Sequence, residues 1–113
     1  FQQTVELMQL SEPPTAIVFQ TEVAAGILQA LLLLQLQVGK DIALIGYDDL
    51  EIAKTNIPPL TTMRPPARNA GEQFVGMLMQ IIDGRAAEDL QEVWKAKMVV
   101  RQSTGRISCN DST

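Results

Sequence analysis

Histidine is absent from these 113 residues and cysteine occurs once, at Cys109. The commonest general base and metal ligand is therefore missing, and no disulfide can close within the chain. Aromatic residues make up only 4%. Positive charge is equally sparse. Nine basic residues against thirteen acidic ones give a net charge of -4, and the basic ones are spread singly from Lys40 to Arg106. No cationic stripe is available to neutralise a phosphate backbone, so this segment does not itself grip DNA. The most apolar run, Ala30 to Leu34, is bounded by Gln29 and Gln35 and falls far short of the roughly 20 residues a membrane span needs. Glycine-rich phosphate loops, metal-ligand spacings, internal repeats and low-complexity tracts are missing as well. Ser103, Ser108 and Cys109 are the conceivable nucleophiles, but none sits in a strand-to-helix elbow with a base near it, so they read as surface residues. These absences argue against an enzyme, a cofactor or a metal. A lone cysteine without a partner in the chain favours a reducing, cytoplasmic setting.

What is present is an α/β pattern. A hydrophobic fraction of 46% with 19% charged residues belongs to a folded globular chain. The apolar run Ala16-Ile17-Val18-Phe19 ends at Gln20-Thr21-Glu22, a helix is expected from about Val23 to Gln37, and Asp41-Ile42-Ala43-Leu44-Ile45 forms a second strand ending at Gly46-Tyr47-Asp48-Asp49. This is a βαβ unit. Such a crossover makes the two strands parallel and brings both carboxyl ends to one edge, where open α/β sheets bind ligands. Polar groups from two loops should therefore converge there.

Phe1, Val5 and Met8 share one helical face, so the chain enters a helix at once. The prolines of Ile57-Pro58-Pro59-Leu60-Thr61-Thr62-Met63-Arg64-Pro65-Pro66 predict an extended strap. Ala70, Phe74, Met77, Leu78, Ile81 and Ile82 mark an amphipathic helix over 67–83, with Pro66 placed to start it and Gly84 to end it. Alternation of Trp94, Ala96, Met98 and Val100 with polar neighbours predicts a strand from Trp94 onward. Two strong parallel strands and one extended segment make too little sheet for so many apolar helices, so further strands are expected upstream.

The ordered set Asp41 to Asp49, Pro58-Pro59-Leu60-Thr61-Thr62, Gly71, Gly84-Arg85 and Val99-Val100-Arg101-Gln102-Ser103-Thr104 resembles the lactose/galactose repressor (LacI/GalR) family of transcription regulators. The resemblance covers nearly the whole chain. It implies a type I periplasmic-binding-protein-like fold, a parallel sheet flanked by helices, represented here mostly by the C-terminal subdomain. Residues 1–104 would form a partial effector-sensing domain. Within it, 1–59 belong to the C-terminal subdomain, 60–66 to a crossover strap, 67–84 to a helix packing on the absent N-terminal subdomain, and 93–104 to a returning strand. Residues 105–113 would be a flexible tail, and the helix-turn-helix domain would lie outside the chain.

In this family Asp48 matches a carboxylate that hydrogen-bonds effector hydroxyls, while Asp49 reads as structural; the alternative is that both aspartates merely hold the turn or cap the helical turn near Glu51. The neighbouring loop departs from the family's usual Asn-Asp pair. Counting from the strand places Glu22 at the aspartate position, counting back from Gly26 places Gln20 and Thr21 at the pair, and Thr21 also suits a helix cap. Arg64 is a further candidate from the strap, although an arginine beside prolines is commonly just solvated. Pro65 replaces a glutamine common in the family, and Ala67 replaces a larger pocket-wall residue. The implied ligand is a small polar effector, a sugar or a nucleobase-like compound.

The Val23–Leu36 helix is apolar nearly all round, so one sheet face cannot bury it and a second partner is implied. The resemblance makes that partner a second copy, with Ala25, Leu28, Leu32 and Leu33 at the dimer interface; the alternative is core burial alone, since periodicity does not distinguish a buried face from an interface face. Operator DNA would be reached only through the absent domain, and no membrane is involved. The alternatives are an extracytoplasmic sugar-binding protein of an ABC transporter, a regulatory domain attached to an enzyme, or a truncated remnant.

Overall fold

A computed structural model of the chain describes residues 1–105; Ser108, Cys109 and the tail after Gly105 lie outside the described residues. Helix α1 (Gln2–Met8) is followed by strand β1 (Ala16–Gln20), a 3-10 turn at Thr21–Val23, helix α2 (Ala24–Leu33) and strand β2 (Ala43–Tyr47). Helix α3 (Glu51–Thr55), strand β3 (Thr61–Arg64), helix α4 (Ala67–Ile82) and strand β4 (Lys97–Val99) complete the regular elements. The strands lie in the order β1-β2-β3-β4. Strand β1 runs parallel to β2, and β2 parallel to β3. Gln20 pairs with Tyr47 and Tyr47 with Met63, so the carboxyl ends of three strands form one row. The expected strap therefore contains the third parallel strand, Thr61–Arg64.

One face of this sheet carries the core. Ile27 and Leu31 of α2 pack with Ile42, Leu44, Ala53 and Leu60, while Ile17 and Phe19 of β1 pack on its margin. Burying each such large aliphatic side chain contributes about 1.5–3 kcal/mol relative to leaving it exposed. Helix α2 stops earlier than its composition predicts because Gln35 adopts a left-handed conformation, φ 57°. The Leu36 N–H then donates to the Leu31 carbonyl at 2.9 Å and the Gln35 N–H to that of Leu32 at 3.0 Å. Those two bonds satisfy the last carbonyls in a Schellman cap, with Leu36 folded back onto the core. Gly84, φ 97°, closes α4 in the same way, through Arg85 N–H to the Gln80 carbonyl and Gly84 N–H to that of Ile81.

The chain divides into two compact units, one comprising Phe1–Arg64 together with the chain from Met98, the other Pro65–Lys97. The second unit has no buried residue. Its α4 is amphipathic as expected, yet Phe74, Leu78 and Ile82 of the apolar stripe are exposed. Trp94 does not begin a strand. Its ring meets Phe74 edge-on at 5.0 Å, and its Nε1–H donates to Gln73 Oε1 at 2.9 Å. The alternation around it is a coincidence of side chains facing a helix, and only Lys97–Val99 is strand. The chain after β4 turns into a short 3-10 segment at Gln102–Thr104 instead of continuing extended.

Candidate functional site

The βαβ crossover brings the two expected loops together, and one buried side chain links them by hydrogen bonds. Thr21 is fully buried, and its Oγ1–H faces two carbonyl oxygens, Tyr47 O at 2.8 Å and Asp48 O at 2.6 Å. Gly46 makes room for it, since a Cβ there would collide with the Thr21 hydroxyl. Gly46 is thus a packing requirement as well as the turn signal read from the sequence. The Asp48 N–H donates to Met63 O at 3.0 Å, so the Asp48 backbone is held on both sides. Its φ is +73°, a conformation that aspartate tolerates better than most residues.

The half-buried Asp48 side chain accepts no hydrogen bond among the described residues. Gln20 and Glu22 are exposed at the end of β1 and start of the next turn. Together Gln20 offers both a donor and an acceptor, and the two carboxylates offer acceptors, a set suited to a hydroxyl-bearing ligand. Thr21 stands apart from this set. Its hydroxyl is committed to backbone carbonyls, so its polar atom is already occupied.

Asp49 has the opposite environment. Its side chain is only 3% exposed and takes donors on both oxygens. Oδ1 accepts from Thr62 Oγ1 at 2.8 Å and pairs with Arg101 Nη1 at 2.8 Å. Oδ2 accepts from Arg64 Nε at 2.9 Å and from Arg64 Nη2. The Arg101 hydrogen bond, with those of Arg64 and Thr62, outweighs the cost of burial and holds this carboxyl well below the ordinary carboxylate value. Arg64 was expected either to float in solvent or to reach a ligand. Half exposed, it instead spends its guanidinium on Asp49.

Ser103, read as a surface residue, is fully buried. Its hydroxyl donates to Leu44 O at 2.6 Å and accepts from the Thr61 N–H at 2.8 Å. Arg101 also donates to Leu60 O at 2.8 Å. Composition offers no signal for these roles, because a hydroxyl in a polar stretch reads as solvated until a sheet edge closes over it.

Of the predicted interface residues, Ala25, Leu32 and Leu33 are exposed, whereas Leu28 packs on the margin of the core. Leu32 and Leu33 are 79% and 66% exposed. Leu28 is half-buried and lines a groove with Leu31, Leu32, Leu36, Val38, Ile57 and Pro58. Ile57, at 91% exposure, extends this apolar surface and was missed because it reads as part of a proline strap.

Residues 2–104 match the periplasmic binding protein-like domain. The lactose operon repressor of Escherichia coli K12 is 36% identical over 105 residues, which are 92% of this chain and 29% of the repressor. The ribose operon repressor of the same strain is 48% identical over 59 residues, 52% of this chain and 18% of that protein. The chain belongs to the periplasmic-binding-protein-like domain family of the lactose/galactose repressors.

Solved structures agree. The lac repressor dimer bound to operator and an anti-inducer matches with a TM-score of 0.75 at 33% identity, over 94% of this chain and 32% of that one. A LacI family regulator from Arthrobacter in complex with lactose matches with a TM-score of 0.76 at 26% identity, over 91% and 39%. The chain spans less than a third of the lactose and ribose operon repressors. These relatives are transcription repressors, not enzymes. Among the described residues no helix is long and apolar enough to cross a membrane.

Proposed function

We propose that this chain is part of the effector-sensing and dimerisation domain of a cytoplasmic LacI/GalR-type regulator, and that Asp48, Gln20 and Glu22 contact a small polyhydroxylated effector. The observation that carries the reading is Asp48 itself: a carboxylate at the carboxyl edge of a parallel sheet, fixed through its backbone, whose side chain accepts no hydrogen bond among the described residues. A structural aspartate at this turn would be expected to use its oxygens as Asp49 does. Thr21 and Arg64 serve this site through the groups they hold in place. The effector shifts the balance between two orientations of the sensing domain, and a DNA-binding domain outside this chain reads the result.

Dimerisation rests on the exposed leucines of α2 and on Ile57, an apolar surface continuous with the groove beside Pro58. Two-fold pairing would cover it with the same surface of a second copy. In the full-length protein, Leu32→Glu is expected to weaken self-association in sedimentation at low micromolar concentration, and an unchanged dimer would count against this surface.

The functional test is titration of the full-length protein with lactose, ribose and arabinose by calorimetry, alongside operator-fragment binding with and without each sugar. One sugar should bind and alter DNA affinity. Sugar binding with no affinity for DNA would point to a transport-type binding protein of the same fold. Silence with every sugar and with purine bases would remove the sensing role.

A further inference from the structure

The turn that presents Asp48 does not follow from local sequence alone. Asp48 is one of two non-glycine residues with positive φ among the described residues, and unlike Gln35 it is not the cap of a helix with two Schellman bonds. The Asp48 carbonyl is engaged at 2.6 Å by the Thr21 hydroxyl, and the preceding carbonyl, Tyr47 O, lies at 2.8 Å from the same atom. That hydroxyl has one proton for two acceptors, so it links two consecutive peptide units of the turn to the end of β1. Burial of Thr21 at 0% exposure removes competing water, and its contact with Gly46 leaves the side chain no slack. The second anchor, Asp48 N–H to Met63 O, fixes the opposite side of the same residue.

We propose that Thr21 is the positioning residue for Asp48: its hydroxyl, wedged over Gly46, clamps the Tyr47 and Asp48 carbonyls and so holds Asp48 in the left-handed conformation that frees its carboxylate. The proposal rests on the reading of Asp48 as the ligand-contacting carboxylate, and it assigns Thr21 a role distinct from contacting ligand. An aspartate without the clamp would relax toward right-handed or extended backbone, where its side chain leaves the sheet edge in a different direction. Serine at 21 keeps the donor. Valine keeps the shape and removes it.

The test is the one-bond Cα–Hα coupling of Asp48 in isotopically labelled full-length chain, which is smaller for left-handed backbone than for extended or right-handed backbone. Thr21→Val is expected to raise it toward the value of ordinary residues, and Thr21→Ser to leave it as in the parent. Thr61→Val is the control for loss of a buried hydroxyl elsewhere in the sheet, since Thr61 Oγ1 bonds to Arg101 and Thr104, and it should leave the Asp48 coupling unmoved. A folded Thr21→Val with the parent coupling overturns the clamp. Should Thr21→Val fail to fold, the parent decides. A Thr21 hydroxyl proton slow enough in exchange to be observed supports the clamp, and a rapidly exchanging one refutes it. These readouts use no ligand. A confirmed clamp with Asp48→Ala binding sugars at parent affinity would reject the effector reading alone, and the converse pair of results would reject the clamp alone.

Discussion

The two sides of the turn after β2 use neighbouring aspartates in opposite ways. On the side of Thr62, Arg64 and Arg101, Asp49 is covered and filled with donors. Asp48 has its main chain held by Thr21 and Met63, and among the described residues its carboxylate accepts no hydrogen bond. A single residue step separates an ion that builds the sheet from one offered to solvent or ligand. Under the proposed function, rigidity would come from Asp49 and Thr21 and the binding chemistry from Asp48, the division expected when a binding group must be preorganised by its supports.

Removing Asp49 should have the largest effect. Asp49→Ala leaves the Arg101 guanidinium, 15% exposed, without its counter-ion, and breaking a buried pair in this way costs about 3–5 kcal/mol. Denaturant unfolding checks it; a loss below about 1 kcal/mol would mean the two aspartates are equivalent.

Acid should act through the same carboxylate. The unfolded chain takes up this proton near the ordinary value of 3.8, whereas in the fold Asp49 resists protonation to lower pH. Its stabilisation is therefore complete well above that value and is lost as pH falls below it. Unfolding midpoints across pH 2 to 6, on the order of a four-unit scan, should show an acid limb that Asp49→Asn removes and Asp48→Asn retains.

A smaller loss, about 1 kcal/mol per hydrogen bond, is expected for Thr62→Val, which removes one of Asp49's donors and an acceptor of Arg101 Nη1 and leaves both arginines on the carboxylate. A thermal melt coincident with the parent would assign the work to the arginines alone. Least of all, Asp48→Asn keeps a residue tolerant of left-handed backbone and should change stability by no more than about 0.5 kcal/mol. A cost as large as that of Asp49→Ala would dissolve the distinction between the two sides.

Much of this frame was legible in the chain. The apolar runs at 16–19 and 41–45, the carboxylates after Gly46 and the stop at Gly84 carry local signals, and each corresponds to an observed feature. Gln35 carried none, because a left-handed glutamine has no residue-type signature and the helix was read too far. Buried hydroxyls were the larger omission. Thr21 and Ser103 look polar and therefore exposed, yet both are sealed by contacts with residues far away in sequence. Arg101 and Asp49 likewise meet only after the chain returns from its second unit. Periodicity identified the apolar face of α4 correctly, but nothing in periodicity says what covers a face, and in Pro65–Lys97 no residue is buried. At Trp94 the alternation misled, since a side chain packing on a helix can mimic one face of a strand.

The central claim is that Asp48 is the effector carboxylate, and calorimetry on full-length Asp48→Ala with whichever of lactose, ribose or arabinose the parent binds tests it most directly. Loss of a charge-assisted hydrogen bond worth about 1.5–3 kcal/mol predicts an affinity lower by roughly one to two orders of magnitude. Parent affinity in a folded Asp48→Ala would contradict it.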